Sequence, residues 1–531
     1  MWIEEKINKL YKQVSGSEKV VFISTFVCGL IAHLYIYTNT IPNFDGISRM
    51  YDEQQMTIAG RWFLHYASWC NSYTQMPMVI GVLAMLFLAA AAALVIHMFR
   101  IESWLLAGMW GAMFAVFPAI ADTNAYTYTA SAYCIAIFLA TLGIVIAEKK
   151  RWGFLYGAIF LVLSMGIYQT YVTVAITLAV LLVIQKVLNK ENQVKDILAK
   201  GIQYIIHIAL GTVIYYVVLK IFLYVKNLTL WSYLGTSNVE SSYPFSEIGT
   251  TLAKTYSQVW EFFFVGTSGV EGYVFIVPNV VIGIASLILL AIIVKVQSLK
   301  QIPIKLIGLV IMLLILPMAV NFTQVISPYS SPRLLMKFSF VYLYLLPVVL
   351  AEKVKELKAE KKAIEVSVIA VLGCFLMLSL YFWQYDNLLY TLLNQTHRAT
   401  LSFVTNVVSR VESCAGYQTG MEVVIIGGFP SDRYDTDIGV YARVSSGSTL
   451  SSSVIPLNKH IYYYMNVWLN VPVEEPEEEV FIRIAQSETF KQMPLYPDDG
   501  SVAIIDNCVV VKMSETFTPK SLYEKEYEER R

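Results

Sequence analysis

Charge is scarce in this chain. Lys, Arg, Asp and Glu make up 15% of its 531 residues, and 39 basic side chains balance 39 acidic ones, so the net charge is zero. Soluble domains carry nearer a quarter charged residues. No global basic excess therefore argues for nucleic acid, and no acidic excess for a solvated tail. Cysteine is just as sparse. Six cysteines, with no CxxC pair or other zinc-type spacing, indicate neither a disulfide scaffold nor a zinc module. Internal repeats are missing, and the first apolar run follows a polar, charged stretch without a small-residue cleavage site. That run reads as a signal anchor, not a cleaved leader.

Apolar surface is what the chain has in quantity. Hydrophobic residues are 56% of the total, and the mean hydropathy is +0.56. A helix needs about 20 mainly apolar residues to cross a bilayer. Eleven stretches meet that need: 19–38, 76–98, 104–121, 129–147, 153–168, 170–188, 202–223, 275–296, 304–320, 334–351 and 363–383. The expected fold is mainly α, a polytopic transmembrane helix bundle of about 11 spans over residues 1–383. A linker helix over 384–420 then leads to a small C-terminal α/β domain over 421–531.

Lys and Arg in short loops set orientation. They gather at Lys6, Lys9, Lys12 and Lys19, at Arg100, and at Lys149, Lys150 and Arg151. They recur at Lys186, Lys190, Lys195 and Lys200, at Lys300 and Lys305, and at Lys353, Lys355, Lys358, Lys361 and Lys362. Every second loop carries the excess. The expected topology is a multi-pass protein of the cell membrane with a cytoplasmic N-terminus and an extracytoplasmic C-terminal domain. The opposite loops are longer, at 39–75, 224–274 and 384–531, so irregular polar backbone, and with it chemistry, accumulates on the outer face.

In the tail, 421–426, 480–484, 501–506 and 509–513 read as strands, and Lys459–Asn470 as a helix. Gly427 and Gly428 read as a strand-to-loop turn, because no GxGxxG or GK[ST] follows them. Cys414 and Cys508 bracket this domain, and their spacing leaves a disulfide open.

The first outer loop holds Asn43-Phe-Asp45-Gly46-Ile-Ser-Arg49-Met-Tyr51-Asp52-Glu53, then Ala59-Gly60-Arg61-Trp62-Phe63. On a helix, Arg49, Asp52 and Glu53 share a face. An interfacial helix with internal ion pairs explains them, and so does a catalytic cluster. Asp122-Thr-Asn124-Ala-Tyr126-Thr-Tyr128 opens the next outer loop, where Asp122 either caps the fourth span or faces a polar site. Gln169, in Tyr168-Gln169-Thr-Tyr171, is an interhelical hydrogen-bond partner or a ligand contact. Arg333 and Lys337, four residues apart at the outer end of a span, either snorkel to lipid or anchor a phosphate.

Taken together, the acidic loop after the first span, Gly60-Arg61-Trp62, Asp122 to Tyr128 and Gly166-Ile-Tyr168-Gln169-Thr-Tyr171 resemble the bacterial glucosyl transferase type II (Gtr) family. That family is similar in plan to the C-type (GT-C) membrane glycosyltransferases. The resemblance spans roughly 19–383 and implies a membrane hexosyltransferase acting in O-antigen or other surface-polysaccharide modification. It implies a polyprenyl-phosphate-sugar donor, a polysaccharide acceptor, contact with membrane lipid, no cofactor and no metal. A donor-synthesising glycosyltransferase and a small flippase are implied as partners. Asp45, Asp52 and Glu53 become the catalytic carboxylates. Arg49, Arg61, Asp122, Tyr168, Gln169, Arg333 and Lys337 become the substrate-binding set. The family pattern leads one to expect paired acids in the first loop, whereas Asn43 and Phe44 here precede a single Asp45. Competing readings are a transporter or flippase of lipid-linked sugars, and a polysaccharide polymerase or ligase. The first predicts paired broken helices near the midplane, whereas the polar residues here gather at one end of the spans.

Overall fold

The computed structural model describes residues 4–6, 14–47, 56–230, 247–267, 270–271, 273–328, 332–359, 361–428, 455 and 458–517. Among them, nine helices are long and apolar enough to cross a membrane, as a multi-pass membrane protein requires. They are Pro77–Phe99, Trp104–Ala125, Thr127–Lys149, Gln169–Val187, Val194–Val225, Val274–Val296, Pro303–Val320, Leu334–Glu356 and Lys362–Glu412. Gly153–Ile167 is a shorter apolar helix. The first apolar stretch forms Gly16–Ala32 and Leu34–Thr38, with His33 between them. All eleven stretches read from the sequence are therefore helical.

Local chemistry sets several helix starts. Ser15 and Glu18 form a capping box, each side chain accepting from the other's backbone N–H. Pro77, Pro118 and Pro303 sit in first turns, where a missing N–H costs nothing. Pro118 also divides Trp104–Ala125 into Trp104–Ala115 and Pro118–Ala125.

Burial separates the centre of the bundle from its rim. Thr127–Lys149 is 78% buried over its most apolar window, whereas Val194–Val225 is 22% buried and presents Ile205, Val213 and Ile221 outward. The latter is the composition of a lipid-facing helix. Thr127–Lys149 packs against Pro77–Phe99 and Gly153–Ile167. Gly143 and Gly157 permit the second contact, since a Cβ on Gly143 would lie 2.8 Å from the Gly157 carbonyl oxygen.

The described residues form two compact units. The first holds residues up to 40 and 56–389; the second holds 41–47 and those from 390 onward. The division falls inside the helix Lys362–Glu412. Its residues Phe403, Val404, Val407 and Val411, in the stretch expected as a linker, belong to the core of the second unit.

The second unit contains a three-stranded sheet of β1 (Glu422–Ile426), β2 (Val502–Ile505) and β3 (Cys508–Lys512), in the order β1-β3-β2. β1 runs parallel to β3, and β2 antiparallel to it. Asp506 and Asn507, with φ of 47° and 63°, make the tight turn between β2 and β3, residue types that tolerate left-handed backbone. The helix Asn458–Leu469 matches expectation. The stretch 480–484, expected as a strand, is instead the helix Glu478–Gln486. Phe481 and Ile484, three apart, are its buried residues, and Glu478 and Glu479 complement the helix dipole in the first turn. Cys414 and Cys508 are free thiols. Burial holds the Cys508 thiol above its ordinary value, and the neighbouring Glu422 carboxylate, to which it donates, pushes the same way.

Candidate functional site

Two of the sequence motifs dock on each other within the first unit. The short turn Thr57–Ala59 ends at Gly60, whose φ is 78°. A Cβ at Gly60 would collide with the Gln169 amide and the Tyr215 hydroxyl. Only glycine meets both conditions at this position. The same two groups hold the turn: Gln169 Nε2 donates to Ala59 O at 2.8 Å, and Tyr215 Oη donates to Gly60 O at 2.9 Å. Just beyond, Phe63 N donates to Gly166 O at 2.8 Å. Gly166 is also required here, since a Cβ would lie 2.8 Å from the Trp62 indole. Gly60-Arg61-Trp62 and Gly166 to Tyr171 are thus two halves of one lock.

Arg61 projects from this lock onto an aromatic platform. Its guanidinium lies over the Tyr168 ring, 4.5 Å from the centroid, and Nη1 donates to Tyr133 Oη at 3.0 Å. Tyr133 and Tyr168 stack at 4.8 Å with 5° between their planes, and Tyr171 meets both edge-on. A partly buried cation on such a platform is oriented at low entropic cost. Ring contacts continue from Tyr171 to Phe338 at 6.4 Å and on to Phe114.

Phe338 belongs to the 3₁₀ segment Leu334–Tyr344 that opens the span Leu334–Glu356. Asp122, fully buried, accepts from Leu335 N through Oδ2 at 2.9 Å. It therefore serves the start of a distant helix, in place of the cap on the fourth span that its sequence neighbours suggest. Arg333 Nη1 donates to the hydroxyl of Tyr126, four residues along from Asp122, at 3.0 Å. Thr170 Oγ1 donates to Met336 O at 3.3 Å, and the Thr173 and Ser339 hydroxyls lie 2.5 Å apart, which fixes this segment against the Tyr168–Tyr171 turn and the helix after it; Thr170 also meets the Thr323 hydroxyl at 2.7 Å. Lys337 is half-buried, within electrostatic reach of Glu261.

Asp45 lies in the second unit. Gly46 N donates to both the carbonyl and the side-chain oxygen of Asn43, at 3.0 and 2.8 Å, closing a turn with a half-buried Asp45 at its third position. Asn43 is thus the residue that forms the turn carrying Asp45. Arg49, Asp52 and Glu53 lie outside the described residues. Among the described residues, no three His, Cys, Asp or Glu side chains gather as metal ligands.

One buried polar cluster carries no sequence motif. Asp386, on Lys362–Glu412, is fully buried, and among the described residues neither carboxyl oxygen has a hydrogen-bond partner. His33 Nδ1 faces it at 3.8 Å, while His33 Nε2 meets Ala115 O at 3.0 Å. The buried Tyr37 ring lies 5.9 Å from that of His33. The aromatic run Tyr381 to Tyr385, just before a lone carboxylate, is the signal in the sequence that could have found this cluster.

Buried polar groups at one region of an apolar bundle, with arginines seated on tyrosines, define a membrane-embedded glycosyltransferase when joined to the sequence comparison. The chain belongs to the Glucosyl transferase GtrII family, whose pattern it matches over residues 34–344. The match takes in the Gly60, Asp122, Gly166 and Arg333 regions and ends before Asp386 and most of the second unit. Neither curated proteins nor solved structures give a match.

Proposed function

We propose that this glycosyltransferase moves a hexose, as glucose, from a polyprenyl-phosphate donor to a surface polysaccharide on the outer face of the cell membrane. The observation that carries the reading is Arg61 held over Tyr168 and hydrogen-bonded to Tyr133. A lipid phosphate gains negative charge as the glycosidic bond breaks, and a pre-oriented guanidinium stabilises that charge without reorganising. Arg333 and Lys337 are the further cations assigned to the phosphate, with Arg offering a planar fork. Asp45 is the base that takes the acceptor hydroxyl's proton as the new bond forms, which inverts the anomeric centre without calling on a metal.

Asp122 and Gln169 contribute through backbone. They hold the starts of the segments that carry Arg333 and Arg61, and Tyr168 offers its ring to the sugar or the cation. Arg49, Asp52 and Glu53 complete the assigned set in the same loop as Asp45. Cations alternating between successive loops support a cytoplasmic N-terminus and an outer active face.

The test is sugar transfer from radiolabelled polyprenyl-phosphate glucose in membranes. Asp45→Asn abolishes transfer while the protein still accumulates in the membrane; wild-type transfer by that variant overturns the assignment. In cells, loss of the protein removes one side-branch sugar. Accumulation of untranslocated lipid-linked sugar would instead indicate a flippase.

A further inference from the structure

We infer that the C-terminal unit is a clamp for the acidic loop, with Trp468 and Ile47 as positioning residues for Asp45. This inference rests on the reading of Asp45 as the base. It assigns a role to a part of the chain that lies beyond the family match.

The loop residues Ile41–Ile47 cluster with the C-terminal unit, although the rest of that unit begins at Tyr390. Ile47 is fully buried and belongs to the same apolar core as Val404, Val407, Tyr464 and Met465. Its carbonyl oxygen accepts from Trp468 Nε1 at 2.9 Å, across 421 residues of sequence. The indole is itself held. Tyr464 stacks with it at 6.1 Å and 19°, and His397 meets it edge-on at 5.2 Å. His397 Nδ1 and Tyr464 Oη lie 3.1 Å apart, tying those two rings together. The N–H is thus aimed from a rigid three-ring support.

Asp45 stands two residues before this anchor, and the turn that carries it is closed on its other side by buried Asn43. The loop is closed on itself before Asp45 and anchored to the C-terminal unit after it, and its carboxylate remains half-buried between them. A catalytic base needs such placement, because a shift of about 1 Å at the reacting atom lowers rates by up to about a hundredfold. The Ile47 side chain and the Trp468 N–H are two parts of this hold that single substitutions remove, so the clamp can be loosened without dismantling the tail.

Trp468→Phe keeps an aromatic ring and removes the donor. In the full-length protein, kcat falls about tenfold while KM for the lipid-linked donor stays within about twofold. A second readout needs no activity. In an Asp45→Cys protein purified in detergent, maleimide labelling of the introduced thiol, read on its own peptide by mass spectrometry, rises several-fold when Trp468→Phe is added. Ile47→Ala, which leaves the ring stack intact, gives the same increase and carries the test if Trp468→Phe lowers the melting midpoint. Labelling that does not change in either variant overturns the clamp, whatever the kinetics. If labelling responds but Asp45→Asn still transfers sugar, the clamp stands and Asp45 is not the base.

Discussion

The lock around Gly60 and the hold on Asp45 solve one problem by different means. In the bundle, Arg61 is fixed by three backbone-directed hydrogen bonds, two obligatory glycines and an aromatic platform. In the second unit, the contacts that hold the acidic loop include buried Ile47, the Trp468 indole N–H and the Asn43 turn. The cation site is fixed by backbone packing that admits only glycine, and the carboxylate loop by side chains that anchor it to a distant part of the sequence. A group that only stabilises charge works best when immobile.

Breaking the bundle lock has the largest expected effect. Gly60→Ala forces an alanine into left-handed backbone against the Gln169 amide and Tyr215 hydroxyl, at about 2–5 kcal/mol. Fluorescence-detected size exclusion shows aggregated or absent protein. A monodisperse, active Gly60→Ala protein would show that the lock is far looser than its geometry. Arg61→Lys keeps the charge but loses the planar stack on Tyr168. Transfer falls by about tenfold to a hundredfold with the fold intact, and an unchanged rate would leave the aromatic platform without a role. The smallest effect separates two substitutions at Asp122. Asp122→Ala leaves Leu335 N–H buried without its acceptor and costs about 1–3 kcal/mol. Asp122→Asn keeps an oxygen acceptor and stays within about 1 kcal/mol of wild type. Thermal midpoints of the two variants measure the gap, and equal values would remove Asp122 from its helix-capping role.

The helical plan is legible because apolar run length and loop cations act locally: each stretch of sequence carries its own signal. The stretch 480–484 misleads because Val480, Ile482 and Ile484 alternate with period two, while the pair that is buried, Phe481 and Ile484, follows helical spacing. The motifs themselves can be read, but their mutual docking cannot. Gly60 and Gln169 are 109 positions apart in the sequence, and nothing near either residue names the other. Through its neighbours Asp122 reads as a cap for the fourth span, whereas its partner lies 213 residues downstream. Asp386 escapes notice because it follows the last apolar run, where a charge looks ordinary.

The distant capping of Leu335 by Asp122 also bears on how the protein is built. When the ribosome has made the first five or six spans, Asp122, Tyr126, Thr170 and Thr173 are already present ahead of their later partners Leu335, Arg333, Met336 and Ser339. The segment that satisfies them is synthesised much later. The early half of the bundle therefore waits, as a socket lacking these contacts, until Arg333 to Ser339 emerges to close it. Inserting the two halves as separate polypeptides would recover the enzyme only if the socket survives that wait.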